Sequence, residues 1–463
     1  MGDILHEMVR IVGAEHVSVG EAISEDHTHD ECLTVAPVVP LGVVFPADTE
    51  QVADILRTCN EQHVTVTARG GATGLSGGCT PTEDGLVVSF ERMAGILDID
   101  ASNHVAVVQP GVSLQQLNDA LAPHGFVYPV NPGELSATLG GNVATNAGGM
   151  RAVKYGVTRH HVLGLEAVLA SGDVIRTGGR FVKSSTGYDL TQLLVGSEGT
   201  LAFVTEVTLK ISPLLPLRAT LLAPFSTLDQ VTEAVPAIVS SGTGPLMLEY
   251  IDQITMDAIT RAAGLDLGIG EEVRAQSAAY LVVVLEGSKE ERLEEDTLTV
   301  ATLLAELGAV DVFVLPAGAG QDLIHARERA FFAAKAMGVN DIVDVVVPRA
   351  QIPAYLERAA ELAQKHSSLV TGCGHAGDGN VHLSVFQPDG DVREELVFDL
   401  VEAGIEVGGA ITGEHGLGRA KSRYFYELAD PVVIDLMKRL KQAFDPNGIL
   451  GPGNFPASNR AES

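Results

Sequence analysis

ARGGATGLSGGC, running from Ala68 to Cys79, follows an alternating strand signal at Val64 to Ala68 and places five glycines and three small residues in its loop. Glycine lets the backbone visit positive φ, and successive amide groups then converge into a nest for anionic oxygen. Phosphate is the expected guest. The segment lacks G-x-G-x-x-G, lacks a Gly-Lys-Ser/Thr ending, and runs through Thr80 and Pro81 toward another strand rather than a helix. The spacing therefore predicts a strand, a nest and a strand, holding a diphosphate through amides without a helix dipole. A surface turn is the alternative.

Bulk properties narrow the function. A chain of 463 residues is long for one core and predicts two domains. No apolar run reaches the roughly 18 residues that span a bilayer, and the start MGDILHEMVR has neither signal-peptide nor transit composition. The expectation is a soluble cytoplasmic protein, with peripheral membrane association compatible. A formal charge of -30 repels polyphosphate backbones and argues against nucleic-acid binding. A small anionic substrate meets the same field, so its site must supply local positive charge. Cys32, Cys59, Cys79 and Cys373 form no C-x-x-C pair and offer no disulfide framework or iron–sulfur ligand set.

From Gly42 to about Ile211, short strands alternate with helices at Asp48 to His63 and Ser113 to Ala122, each opening with a capping-box spacing (Asp48 with Gln51, Ser113 with Gln116). Strand signals lie at Val87 to Phe90, Val105 to Val108, Leu163 to Ala170, Val174 to Thr177 and Leu201 to Ile211. Pro213 and Pro216 then mark a boundary near residue 215. Beyond it, strands at 219–225, 246–250, 280–286, 310–315 and 343–347 accompany helices at 227–240, 289–307, from about 320, and 349–366. A hairpin at 371–386 and a last helix at 431–444 complete the reading. The fold class is α+β, with helices over an antiparallel sheet in the second half. The division is 1–215, 216–420 and 421–463.

Two more small-residue segments in the first half are expected to be loops for the same ligand. ATLGGNVATNAGG, Ala137 to Gly149, permits close backbone approach and leaves Thr138, Asn142, Thr145 and Asn146 as hydrogen-bonding side chains, and GSEGT covers Gly196 to Thr200. RGGATGLSGG, TLGGNVATNAGG with the following RAVKYG, and GSEGTLAFVTE together resemble the flavin-binding segments of the vanillyl-alcohol oxidase (PCMH) type FAD family. From about Val35 to Asn454 the chain is similar to its D-lactate, glycolate and D-2-hydroxyglutarate dehydrogenase branch. The resemblance implies non-covalent FAD, held by Arg69, Gly70, Gly71, Ala72, Thr73, Gly74, Leu75, Ser76 and Gly77, by Thr138, Gly141, Asn142, Thr145 and Asn146, and by Glu198 and Val204. It also implies a substrate cap domain and a carboxy-terminal segment returning to the FAD domain.

GHAGDGNVHL, Gly374 to Leu383, reads as a hairpin about Asp378-Gly379, a two-residue turn signal. Pairing Gly377 with Asn380 and Ala376 with Val381 sets His375 opposite His382 on one face, with Cβ atoms roughly 5 Å apart. Glu414, in TGEHGLG, is a candidate third ligand in a two-His, one-carboxylate set that leaves positions open. A hydrogen-bonded histidine pair is the alternative. HxGDGNxH and GEHG resemble the family's metal-site motifs, which implies that His375, His382 and Glu414 hold a divalent metal, Zn or Mn, with His415 as the neighbouring acid/base. A metal-bound hydroxyl loses its proton more readily, the step a 2-hydroxy acid must take as hydride leaves for flavin.

Arg327, in IHARERAFF, resembles the family's substrate arginine and meets the need for positive charge. A helix-surface pairing with Glu328 is the alternative, and Arg329 is the rival. Arg419, Lys421 and Arg423 form a secondary basic cluster. Relatives that prefer 2-hydroxyglutarate carry Lys where this chain has Ile342 or Val343 and Asn where it has Ser384, and the tail reads GPGN (Gly451 to Asn454) in place of N-P-G-K. The resemblance thus implies oxidation of a small D-2-hydroxy acid, D-lactate or glycolate ahead of D-2-hydroxyglutarate. Electrons then pass to a separate acceptor: a quinone, a cytochrome, an electron-transfer flavoprotein or oxygen. A homodimer is compatible. A metal-dependent hydrolase and a non-catalytic flavin subunit are the competing classes.

Overall fold

The computed structural model describes residues 2–454; the last nine positions of the expected returning segment lie outside them. Strands β1 (Val17–Ser18), β2 (Gly42–Val44), β3 (Val66–Arg69) and β4 (Leu86–Ser89) form a sheet of order β1-β2-β4-β3, parallel between β2, β4 and β3. Next come β5 (Ile96–Asp100), β6 (Val105–Val108), β7 (Phe126–Val127), β8 (Val162–Val168), β9 (Val174–Gly178), β10 (Phe203–Lys210) and β11 (Ser212–Pro213). Five of them make an antiparallel sheet, β5-β6-β10-β8-β9, while β7 and β11 pair as a ribbon. Helix Thr49–Gln62 starts where Asp48 accepts the Gln51 amide, and helix Leu114–Leu121 starts at a complete Ser113–Gln116 capping box. Their apolar stripes, Val52, Ile55, Leu56 and Cys59 on one and Leu114, Leu117 and Leu121 on the other, fill two separate cores of this half. At about 1.5–3 kcal/mol per fully buried aliphatic side chain, each stripe is a main source of local stability.

One expectation fails here. The small-residue stretch after Ala137 is not a loop: Leu139–Thr145 is a helix, ended by Asn146 in the left-handed region at φ 53. Glycine, asparagine and threonine are weak helix formers, but Leu139 and Val143 are buried against the Leu114–Leu121 core, and tertiary packing overrides propensity.

The remaining strands, β12 (Leu217–Phe225), β13 (Met247–Asp252), β14 (Ala279–Gly287), β15 (Phe313–Leu315), β16 (Asp341–Val346), β17 (Leu369–His375) and β18 (Asn380–Phe386), form one antiparallel sheet. Its order is β15-β12-β14-β13-β17-β18-β16. Both faces are covered, so its strands read as continuous apolar runs. Leu281, Val283 and Leu285 face one core, and Tyr280, Val282 and Val284 face the other. Helices Leu228–Ser240, Glu290–Glu306, Ile352–Lys365 and Gly390–Glu406 are arranged about the first; Gln253–Ala263 and Ala317–Glu328 cover the second. Sequence reading missed Gln253–Ala263 and Gly390–Glu406.

The chain end crosses back to the first half. Leu450 bridges to Val66, and the buried Lys441 ammonium donates to the carbonyls of Thr200 and Leu450 and to Asp445. No helix among the described residues is long and apolar enough to cross a membrane.

Candidate active site

The glycine loop, the 139–145 helix and the GSEGT turn converge on a cavity of about 200 Å³. Residues 70–76 line it, with Thr138, Gly141, Asn142, Thr145, Glu198 and Val204. Arg69, Gly77 and Asn146 stand outside: the Arg69 guanidinium donates to the His29 carbonyl, Gly77 packs on Val35, and Asn146 accepts from the Arg159 amide. Close approach explains the glycines. A Cβ on Gly70 would lie 2.3 Å from Thr138 Oγ1, the hydroxyl that accepts the Gly71 amide, whereas one on Gly78 would meet nothing nearer than 3.9 Å and would project into the space the loop encloses. A cradle whose walls are backbone, and which a side chain would fill, fits a large flat cofactor with a diphosphate. The loop runs from β3 to β4, as the strand–nest–strand spacing predicts, and the helix that begins at Leu139 stands beside it. Asp30, Pro132, Phe90 and Phe203 also line the cavity and carried no signal in sequence.

Glu198, which lines the cavity, has a second task. Held at φ 51, it turns its buried carboxylate to accept the amides of Leu417 and Gly418. Ser76, from the glycine loop, donates to the carbonyls of His415 and Gly416. These bonds fasten the GEHG loop onto the cradle.

A second cavity, of about 130 Å³, lies against the cap sheet and shares Leu75, Pro132, Glu414 and His415 with the first. Strand alternation explains what faces it. Val343, Val345, Val381 and Leu383 enter the opposite core, so Ile342 and Asp344 of β16, His382 and Ser384 of β18, Cys373 and His375 of β17, and Glu249 of β13 share the cavity's face.

The hairpin register differs from the predicted one. His375 pairs with Asn380 and Cys373 with His382, so four residues, 376–379, make the turn. Asp378 and Gly379 amides both bond to the His375 carbonyl, and Gly379 sits at φ 95. A slip of two residues preserves the face, whereas a slip of one would reverse it. The two imidazoles therefore still meet, diagonally, with ring centroids 4.9 Å apart.

His375, His382 and Glu414 each offer one atom within 4.8 Å of the others. Both Nε2 atoms lie 3.3 Å from Glu414 Oε1, and Glu414 Oε2 is buried without a hydrogen-bond partner among the described residues. Each Nδ1 faces a carboxylate, Glu249 at 2.8 Å from His375 and Asp344 at 3.7 Å from His382. That arrangement turns the Nε2 lone pairs inward, as in carboxylate–histidine–metal triads. The donor set fits a divalent ion with open positions. Asp344, His382 and His415 also lie close enough to share an ion, but Asp344 is already occupied: it accepts from Thr412, Asn380 and the amides of Glu414 and His415. Its role is to shape the loop.

Electrostatics follow from burial and neighbours. Burial raises the Glu414 carboxyl, but the His375 and His382 rings outweigh it and hold it well below the usual range. Asp344 is likewise depressed, by His415 and Lys421 against the cost of burial. Burial pulls His415 down to about 4, against the attraction of Asp344, so its ring is neutral near pH 7. Its ring stacks on His382 at 5.2 Å.

Arg327 is not a helix-surface residue. It is buried, 3.0 Å from Glu249, and its Nε and Nη2 have no directed hydrogen bond, while Glu328 instead accepts from Asn131. Lys421 is buried 3.7 Å from Asp344, Arg419 caps the Pro81 and Pro452 carbonyls, and Arg423 pairs with Glu394. Only Lys421 of that basic cluster approaches the histidines. Glu249 and Asp344 escaped sequence reading, although each is the interior carboxylate of an otherwise apolar strand, MLEYID and DIVDVV.

The sequence profile described as "FAD linked oxidases, C-terminal domain" matches residues 215–455, and that described as "FAD binding domain" matches residues 40–178. An uncharacterized FAD-linked oxidoreductase of Mycobacterium tuberculosis is 54% identical over 98% of this chain and 99% of its own. A D-lactate dehydrogenase of Anaerostipes hadrus is 37% identical over 97% and 96%, and the glycolate oxidase subunit GlcD of Bacillus subtilis is 36% identical over 99% and 97%. The solved 4-ethylphenol oxidase of Gulosibacter chungangensis, at 19% identity, shares the fold with a TM-score of 0.80 over 99% of this chain and 98% of that one. With the FAD-binding half, the backbone-lined cradle and these relatives agreeing, the chain belongs to the FAD-linked oxidase family and is an FAD-dependent oxidoreductase.

Proposed function

We propose that the protein oxidises a D-2-hydroxy monocarboxylic acid to the 2-oxo acid, with His375, His382 and Glu414 holding a divalent ion, Zn or Mn. The observation that carries this reading is the wall shared by the two cavities, where Glu414 and His415 face both the cradle and the cap-sheet chamber. Bound FAD supplies a two-electron acceptor, and a bound divalent ion supplies the positive charge against which the substrate hydroxyl becomes a stronger acid. The rest falls to the chain.

Arg327, in the chamber wall, receives the substrate carboxylate, and Glu249 keeps the guanidinium in place. His415, neutral and with Nδ1 toward Asp344, accepts the hydroxyl proton on Nε2. Bound FAD would supply the acceptor for the hydride that leaves C2 as the hydroxyl proton passes to His415 and the C–O bond becomes a carbonyl. Ser76 and Glu198 hold the His415 loop against the cradle, so acid/base group and hydride acceptor keep their distance. Ile342 and Ser384 in the chamber wall, and the absence of a second Lys or Arg lining it among the described residues, favour monocarboxylates over 2-hydroxyglutarate. A separate acceptor would then take up the two electrons.

Anaerobic mixing of the yellow protein with D-lactate, L-lactate, glycolate and D-2-hydroxyglutarate tests the reading. Bleaching by the D-monocarboxylates, and slower bleaching by the L-isomer and the dicarboxylate, is expected. A flavin that none of them reduces refutes it.

A further inference from the structure

We infer that the physiological substrate carries a bulky apolar side chain, branched aliphatic or aromatic, rather than the hydrogen of glycolate or the methyl of lactate. This inference rests on the proposed reaction and names its substrate class.

The chamber has two chemically distinct ends. Arg327, His375, His382, Glu414 and His415 crowd one of them. The rest of the wall is built by Ile254 and Ala258 of helix Gln253–Ala263, by Phe331 and Met337 around helix Ala330–Ala336, and by Ile342 and Phe386 of the sheet. The uncharged hydroxyls of Thr255, Thr371 and Ser384 are the polar interruptions there, together with Glu328, whose negative charge repels a second carboxylate. The nearby ammonium of Lys335 is taken by Glu31 at 2.7 Å.

Size points the same way. A cavity of about 130 Å³ has room for several waters beyond a three-carbon acid, and water in an apolar recess lacks the two to four polar partners that hold it. Ile254 and Met337 at the rim are 47% and 49% exposed, so an apolar group projecting from C2 would cover surface that otherwise faces solvent. Each additional buried methylene should raise kcat/KM by about fourfold.

The test is anaerobic flavin reduction by a homologous D-series: lactate, 2-hydroxybutyrate, 2-hydroxyisocaproate (the 4-methyl acid) and 3-phenyllactate. The expected result is a kcat/KM at least about tenfold higher for 2-hydroxyisocaproate or phenyllactate than for lactate. Rates that stay flat or fall along the series, with lactate still reducing the flavin, overturn the inference and leave the proposed reaction standing. Reduction by no member refutes the reaction and the inference with it. Ala258→Phe, which fills the apolar end, should collapse the isocaproate-to-lactate ratio toward one at unchanged flavin content, and a ratio unmoved by it counts against the chamber.

Discussion

The cradle and the chamber are built by opposite means. The cradle takes its shape from backbone and small side chains in three contiguous segments, 70–76, 138–145 and 197–204. The chamber takes its chemistry from charged side chains on separate strands and one loop, with Glu249, Asp344, His375 and His382 brought together by sheet pairing and Glu414 by the bond of its amide to Asp344. A site made of backbone tolerates no added atoms. A site made of side chains tolerates no change of charge. Substitutions in the two should therefore separate binding of the coloured cofactor from its reduction.

The largest effect belongs to the ligand set. His375→Ala or Glu414→Ala should slow flavin reduction by about a thousandfold or more, because several kcal/mol of charge stabilisation disappear, while the visible spectrum of the bound flavin is kept. Rapid mixing reads the first and absorbance the second; loss of colour instead would mean that the two sites are not separable. Glu249→Gln should cost about 10–100-fold, since it loosens both the His375 ring and Arg327 without touching either cavity's ligand. It should also lower stability by about 3–5 kcal/mol, visible in denaturant melts, because a buried cation loses its counter-charge.

In the cradle the signature reverses. Gly70→Ala drives a methyl against Thr138 Oγ1, and an overpacking cost of about 1–3 kcal/mol should appear as flavin lost on dilution or dialysis. Each protein molecule that keeps flavin should reduce it at a near-normal rate. The smallest expected change is Ile342→Lys, a few-fold gain in relative preference for D-2-hydroxyglutarate, measured as a ratio of kcat/KM values. A ratio unmoved by the new cation would place the distal end of the substrate elsewhere.

How legible each site is in sequence follows from the same contrast. Glycine and small residues in a run announce a backbone cradle because few other structures need them. Its secondary structure was less visible: Leu139–Thr145 is helical only because its two apolar residues meet a core formed by distant strands. In the chamber, the histidines were legible through their shared face, and that survived a two-residue error in register. The orienting carboxylates were not. Glu249 sits fully buried between Leu248 and Tyr250 in a strand covered on both faces, and Asp344 between Val343 and Val345 is in the same position. A charge in such a strand must have a buried partner, but sequence does not say which.

The central claim is that reduction of the flavin by a hydroxy acid needs the ion held by His375, His382 and Glu414. Chelator-treated protein that retains its flavin, mixed anaerobically with D-2-hydroxyisocaproate and D-lactate before and after stoichiometric Zn or Mn is restored, tests it directly. The account predicts that bleaching is lost with the metal and returns with it. Undiminished bleaching in protein shown by elemental analysis to be metal-free would contradict it.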